Sequence, residues 1–215
     1  MNFTEKIIET IKNPKNAMKS ISEQPMIEEA VTIVGISAVL GALAAYIQSY
    51  KVTYVFEGFP EMPASTMMAI FGILVALIGS FIGWFIIAGI VHLVSMALGG
   101  EGKFHPQMMT IAGYSFIPMI FANLISIAML LIIDPITITI SPTDPTAMRE
   151  FYESSYFINL NIIAIIMQIW ASIILFFGIQ EAHRLSAAKS AIVAGIPLVF
   201  VVISLLWTFR SMGIL

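Results

Sequence analysis

Five long stretches of the chain consist almost entirely of apolar residues, and most polar residues lie between them. A helix needs about 20 apolar residues, roughly 17–25 in practice, to cross the hydrocarbon core of a bilayer. The pattern therefore predicts five membrane-spanning helices, numbered here in chain order. They cover residues 30–47, 67–98, 108–133, 157–179 and 187–209. The second stretch is too long for one upright span, so we expect it to tilt or to continue beyond the bilayer.

The composition supports this interpretation. Of the 215 residues, 59% are hydrophobic and 11% are charged, whereas a soluble domain contains about 25% charged residues. Because so little polar surface cannot coat a globule in water, the sequence predicts an all-α polytopic protein, a bundle of five transmembrane helices in a lipid bilayer. The net charge of −3 argues against nucleic acid as a partner, and the absence of Cys excludes disulfides and thiolate sites.

Residues 1–26 are more polar than the rest and precede the five-span membrane domain of residues 27–215. Phe3, Ile7 and Ile11 recur at four-residue spacing, which predicts a short amphipathic helix, and Asn13–Pro14 ends it. We expect this helix to lie on the cytoplasmic leaflet. Its role is either membrane anchoring or docking of a partner protein.

Lysine and arginine are distributed unequally between the two sides of the predicted bundle. Seven of the ten flank the first span on its N-terminal side, the loop between the second and third spans, or the turn between the fourth and fifth. Three lie on the other side. By the positive-inside rule the N-terminus is cytoplasmic and the C-terminus is outside.

Two rows of small residues predict close helix packing. Each row has a spacing of four residues, one in the first span and one in the second. Small residues let helix backbones approach closely within a bilayer, so we expect these spans to pack together, within one chain or between two copies in a homo-oligomer. The rows are Ser37, Gly41 and Ala45, and Gly72, Ala76 and Ser80.

The loop that begins at Gly99–Gly100 contains the letters GGEGK, which invite comparison with a phosphate-binding loop. Such a loop requires Ser or Thr after its Lys, whereas Lys103 is followed by Phe104. The glycines instead indicate a helix end, and Pro106 indicates a helix beginning.

The letters GYSFIP in the third span predict a distorted helix. Pro118 has no N–H to donate to the carbonyl of Tyr114, and Gly113 leaves room for another backbone. We therefore expect a kink, with a free carbonyl that a donor such as Gln168 or His92 would satisfy. Pro197 predicts a second kink in the fifth span.

Four of the polar residues within the predicted spans are notable, and the formal charges lie at the span ends or outside them. Polar groups in hydrocarbon need partners, so these residues either join helices or line a path for a substrate or ion. The absence of a mid-span carboxylate weighs against ion-coupled transport. The four are His92, Tyr114, Asn123 and Gln168.

The three His residues have no metal-ligand spacing, and no catalytic set of serine, thiol or paired aspartates is present. We therefore predict no metal site, no cofactor and no enzyme activity. We expect one group of polar residues on the cytoplasmic surface of the bundle. This group comprises Lys103, His105, His183 and Arg184.

Five spans, the polar N-terminus, the glycine-rich loop and the Gly113-Tyr114…Pro118 pattern resemble the Yip domain family of Ypt/Rab-interacting membrane proteins. Asn13–Pro14 and the turn in residues 178–191 are also similar to the corresponding segments of this family.

The resemblance implies a five-span helical protein. Eukaryotic members lie in endoplasmic reticulum and Golgi membranes, bind Rab-type GTPases and associate with one another. This chain has a much shorter N-terminus without their acidic, tyrosine-containing segment. It looks like a prokaryotic member, for which we expect the cell membrane as location.

Two functional hypotheses follow. The first is a non-enzymatic, self-associating membrane scaffold or adaptor that recruits a protein partner at its cytoplasmic face. The second is a small permease or channel, in which His92, Tyr114, Asn123 and Gln168 line a path. A water-filled passage that joins these residues would favour transport, whereas separate hydrogen bonds in a dry bundle would count against it.

Overall fold

The computed structural model describes residues 1–58, 64–141 and 149–211. Five helical segments within these ranges are long and apolar enough to cross a membrane, as predicted. Each differs from its predicted bounds by no more than a few residues, because polar or interfacial residues continue the helices at their ends. They are Ile27–Lys51, Thr66–Ala97, Phe104–Ile132, Ser155–His183 and Ala187–Ser211.

The N-terminal segment forms two helices, α1 (Phe3–Lys12) and α2 (Pro14–Glu23). Asn2 and Glu5 form a capping box at the start of α1, and Asn13 caps α2, which has Pro14 in its first turn. The segment packs against the bundle, with Ala17, Met18 and Ile21 of α2 completely buried.

The buried face of α1 agrees only in part with the expected apolar stripe. Phe3 and Ile7 pack against the core, but Ile11 is exposed, and Lys6 and Thr10 are buried. The physical reason is that Lys6 finds an acidic partner inside the bundle, which is described below.

The first span is α3 (Ile27–Lys51). The second consists of α4 (Ala64–Leu74), a π-helical turn (Val75–Gly79) and α5 (Ser80–Ala97). The two rows of small residues meet within one chain. A Cβ placed on Gly41 would lie 3.4 Å from the Cβ of Ala76, and one on Gly72 would lie 3.2 Å from the Cβ of Ala45.

The third span begins at Phe104–Met108, where His105 has an extended backbone and the N–H of Met108 bonds to the carbonyl of Lys103, and it continues as α6 (Met109–Tyr114) and α7 (Ile117–Ile132). Two turn residues separate α6 from α7, and the N–H of Phe116 bonds three residues back to the carbonyl of Gly113, so the distortion expected near Pro118 is a local break in the α-helical hydrogen-bond pattern. Gly113 lies so close to Ala30 of α3 that a Cβ on Gly113 would overlap the Ala30 side chain. The expected close approach at this glycine is therefore present.

The last two spans are connected by a tight turn. Helix α9 (Ser155–His183) ends at Arg184, which has a φ of 54°, and α10 (Ala187–Ser211) follows. Helix α10 continues through Pro197 as one helix.

A small parallel sheet lies at the opposite end of the bundle from α1 and α2. Strand β1 (Val52–Phe56) pairs with β2 (Ile136–Ile140), and a one-turn helix, α8 (Arg149–Tyr152), precedes α9. Both strands lie between predicted spans, where no secondary structure was expected. We call this the sheet end. The N-terminal end is formed by α1, α2, the loop 98–103 and the turn 184–186.

The core lies mainly toward the N-terminal end, between α2, α3, α6 and α9. The second span is peripheral, since only 6% of its apolar 18-residue stretch is buried. Trp84 attaches it to the third span through a 2.9 Å hydrogen bond from its indole nitrogen to the carbonyl of Met109.

Candidate functional site at the N-terminal end of the bundle

An open groove of about 810 Å³ lies at the N-terminal end. Its walls come from α2, the loop before the third span and the last turn of α9, segments far apart in the sequence. Six charged side chains line it, three of each sign. They are Lys19, Lys103 and Arg184, and Glu23, Glu101 and Glu181. We call this the charged groove.

The charges at the mouth of the charged groove are available to a ligand. Arg184 and Glu101 have side chains that are 81% and 75% exposed, with a separation of 4.0 Å between their charged atoms. A pair at this distance and exposure contributes little to stability. Each of the two side chains can therefore leave this weak contact and pair with a charged group of a binding partner.

The base of the charged groove is fixed by Gln107. Its amide nitrogen donates to the carbonyl and the hydroxyl of Ser22 in α2, at 3.2 Å and 2.9 Å. Its amide oxygen accepts a 3.0 Å hydrogen bond from the backbone N–H of Lys103. One side chain thus joins α2, the loop and the third span.

A buried ion pair holds α1 against the first span. The ammonium nitrogen of Lys6 lies 3.0 Å and 2.8 Å from the two carboxylate oxygens of Glu29. The two side chains are only 4% and 10% exposed. Because an unpaired charge is very costly in such surroundings, each residue requires the other.

Tyr114 completes this cluster from the third span. Its side chain is completely buried, and its hydroxyl donates a 2.7 Å hydrogen bond to Oε2 of Glu29. The carboxylate of Glu29 therefore joins α1, α3 and α6. We call Lys6, Glu29 and Tyr114 the buried triad.

A second polar centre surrounds His183 at the end of α9, which is completely buried. Its Nδ1 accepts a 3.2 Å hydrogen bond from the N–H of Gly102, so the ring proton lies on Nε2. That nitrogen lies 3.3 Å from Nδ1 of His92 and donates to it. The backbone carbonyl of His183 accepts from the N–H of Glu101 at 3.2 Å.

The glycine-rich loop forms a collar around His183. A Cβ on Gly100 would lie 2.7 Å from Nδ1 of His183, and a Cβ on Gly102 would lie 2.9 Å from it. Neither position tolerates a side chain without a shift of the backbone. The glycines of the sequence GGEGK thus leave the space that the ring of His183 occupies inside the loop.

The structure separates the residues expected on the cytoplasmic surface. Lys103, His105 and Arg184 are exposed. His183 differs from the expectation, because the glycine collar encloses it. Of the four, Lys103 and Arg184 line the charged groove.

The residues of the expected polar path have different surroundings. His92 bonds to His183, Tyr114 bonds to Glu29, and Asn123 donates to the carbonyl and hydroxyl of Ser37 at 3.0 Å and 3.2 Å. Gln168 has no hydrogen bond to any other described residue and lines a separate cavity. Neither Gln168 nor His92 donates to the Tyr114 carbonyl in the described part of the chain.

Sequence reasoning did not find Lys6 and Glu29. Glu29 lies in the first turn of a span, and Lys6 lies off the apolar stripe expected for α1. The carboxylate of Glu29 at the start of an apolar run indicates a polar contact there, but no local pattern identifies Lys6 as its partner. In residues 1–58, 64–141 and 149–211, no group of three or more His, Asp or Glu side chains is arranged to hold a metal ion.

The five spans and their polar end define a polytopic helical membrane protein. The profile of the Yip1 domain matches residues 8–209, and the chain belongs to this family. It is also similar to an uncharacterised protein of Methanocaldococcus jannaschii, with 36% identity over 126 residues, which cover 56% of this chain and 85% of the relative. No solved structure matches the chain.

Proposed function

We propose that this member of the Yip1 family is a non-enzymatic membrane adaptor. In this proposal the charged groove binds a segment of a soluble protein, and the N-terminal end faces the cytoplasm. The observation that carries the proposal is the groove itself, with about 810 Å³ of space and six charged side chains.

The charges of the groove favour a protein segment over other ligands. Three basic and three acidic side chains line it, so their formal charges cancel. A nucleic acid or another polyanion would meet as many repulsive groups as attractive ones. A polypeptide with both signs of charge can match such a surface, and electrostatic complementarity of this kind gives specificity.

The fixed base of the groove also supports binding. Gln107 holds α2 to the third span, and the buried triad holds α1 to the first and third spans. A site with walls already in place loses less conformational entropy on binding than a flexible one.

The groove offers little that would support catalysis. Among the described residues that line it, Ser22 is the only one with a hydroxyl, and this hydroxyl already accepts from Gln107. No His lines it among the described residues. An activated nucleophile needs a base within hydrogen-bond distance, and in the described part of the chain the Ser22 hydroxyl has no hydrogen bond to any of the three groove carboxylates.

We propose further that copies of the chain associate through the second span. This span is the least buried of the five, and a Cβ on Gly83 would meet nothing within 4 Å. The permease hypothesis has less support, because His92, Tyr114 and Asn123 make separate contacts and Gln168 lines a cavity of its own, so the four do not line one passage.

The adaptor proposal is tested with a photoreactive phenylalanine analogue at Lys103, in membranes of the native organism. We expect adducts with a soluble protein, identified by mass spectrometry, and loss of these adducts when Arg184→Glu is added. The matched control places the same group at the exposed Glu57, at the sheet end. Identical adducts at both sites, or adducts that Arg184→Glu leaves unchanged, would contradict the proposal.

A further inference from the structure

A separate cavity lies deep within the membrane region, where the third span is broken. It has a volume of about 210 Å³ and lies between α5, the break after α6, α9 and α10. Ile87, Phe116, Gln168 and Pro197 on its walls are half-buried, so the cavity opens between the helices toward lipid. Gln168 is thirteen residues from the start of the 29-residue α9, which puts it near mid-membrane.

The amide of Gln168 has no hydrogen bond to any described residue. Transfer of an unpaired amide from water into hydrocarbon is strongly unfavourable, so its two N–H groups and its oxygen require a partner. The other polar side chain on the walls is Ser115, whose hydroxyl already donates to the carbonyl of Ala112 at 2.7 Å. One amide in an otherwise apolar cavity is therefore the chemical feature to be explained.

Water does not satisfy this arrangement. At about 30 Å³ per molecule, the volume would hold about seven waters, each of which needs 2–4 polar partners. The walls offer one free amide. An engineered apolar cavity of about 150 Å³ stays dry and binds benzene. The cavity beside Gln168 is larger than that and is similarly apolar.

We propose that this cavity binds a small lipophilic molecule with one hydroxyl group, which enters from the bilayer. The apolar body fills the space between Ile87, Met119 and Leu175, and the hydroxyl both donates to and accepts from the amide of Gln168. The hydroxyl can accept from one N–H of the amide and donate to its oxygen, so it pairs with two of the three polar groups of Gln168 that need a partner. This site is independent of the charged groove.

The experiment uses the full-length protein in lipid nanodiscs and a diazirine-bearing alkylphenol as photolabel, with labelled residues identified by mass spectrometry. The competitors are 4-ethylphenol and ethylbenzene, compared at equal concentration in the membrane. We expect labelling of Phe116 or Met119. We also expect 4-ethylphenol to compete at least about fivefold better than ethylbenzene, since one neutral hydrogen bond alone corresponds to that factor.

Three variants test the assignment. Gln168→Leu should abolish the difference between the two competitors. Ala171→Leu should prevent labelling by filling the cavity, and Ile87→Phe is a second filling variant if the first does not fold. Ser172→Ala is the matched control. Its hydroxyl is also buried and unpaired, one turn from Gln168, but it lines a different groove. This variant should behave as the unmodified protein.

Three results would overturn the proposal. Equal competition by both compounds in the unmodified protein would mean that the cavity holds acyl chains only. Absence of labelling at the cavity walls would mean that no such ligand enters. Labelling unchanged in both filling variants would place the photolabel elsewhere.

Discussion

The hydroxyl of Tyr114, at the end of α6, donates a 2.7 Å hydrogen bond to the carboxylate of Glu29 in the first turn of α3. The two residues are 85 positions apart in the sequence, and both are buried. This contact fixes the break in the third span to the start of the first span. It also connects the third span, through Glu29, to Lys6 of α1.

We expect Tyr114→Phe to lower the free energy of unfolding by about 1.5–3 kcal/mol, the range for a hydrogen bond to a charged group. Denaturant titration in mixed micelles measures the loss. Tyr46→Phe is the control, because Tyr46 shares a 2.9 Å hydrogen bond with Tyr50 at an exposed position. Equal losses in the two variants would contradict the importance of the buried contact.

Removal of either charge of the buried ion pair should be severe. We expect Lys6→Met or Glu29→Gln to cost about 3–5 kcal/mol, because each leaves the other charge buried without its partner. The double variant should lose less than either single variant, since it removes both charges and retains an oxygen that accepts from Tyr114. The same denaturant titrations give the double-mutant cycle, and purely additive losses would be inconsistent with a coupled pair.

His183 should contribute to stability far more than an exposed histidine. We expect His183→Ala to cost about 2–5 kcal/mol, because it opens a cavity and leaves the N–H of Gly102 and the ring of His92 without partners. His105→Ala, at an exposed position, should change stability by less than about 0.5 kcal/mol. Thermal unfolding in detergent compares the variants. Similar unfolding midpoints would contradict a stabilising role for the buried ring of His183.

Two glycines should respond in opposite directions to an added methyl group. Gly113→Ala should destabilise by about 1–3 kcal/mol, because its Cβ overlaps Ala30. Gly195→Ala should stabilise by about 0.5–1 kcal/mol, because its Cβ meets no neighbour and alanine favours a helix. Unfolding free energies of both variants check the pair, and a stable Gly113→Ala protein would contradict the close packing of α3 and α6.

The orientation can be tested directly because the chain contains no Cys. We expect a cysteine at Glu57 to react with a membrane-impermeant maleimide on intact cells, and a cysteine at Lys103 to react only after permeabilisation. These positions lie at the sheet end and the N-terminal end, and both are exposed. The reverse pattern would place the charged groove outside the cell.

Several elements could be predicted from local sequence alone. The spans follow from the length of apolar runs, since a bilayer of fixed thickness requires helices of fixed length. The packing of Gly41 on Ala76 follows from four-residue spacing of small residues. Distortion at Pro118 follows from its missing N–H. The sheet could not be predicted in this way, because the pairing of Val52 with Ile136 depends on how the spans bring distant segments together.

The sequence by itself determined the class of protein, the number of spans and the interruption near Pro118, because these depend on properties of neighbouring residues. Only the tertiary structure decided which polar groups meet. Lys6 and Glu29 are 23 positions apart, and Gly102 and His183 are 81 apart. In an apolar interior each such group requires a partner, but its chemistry does not specify which one. The arrangement of the helices determines which groups pair. The same arrangement forms the charged groove and the cavity beside Gln168.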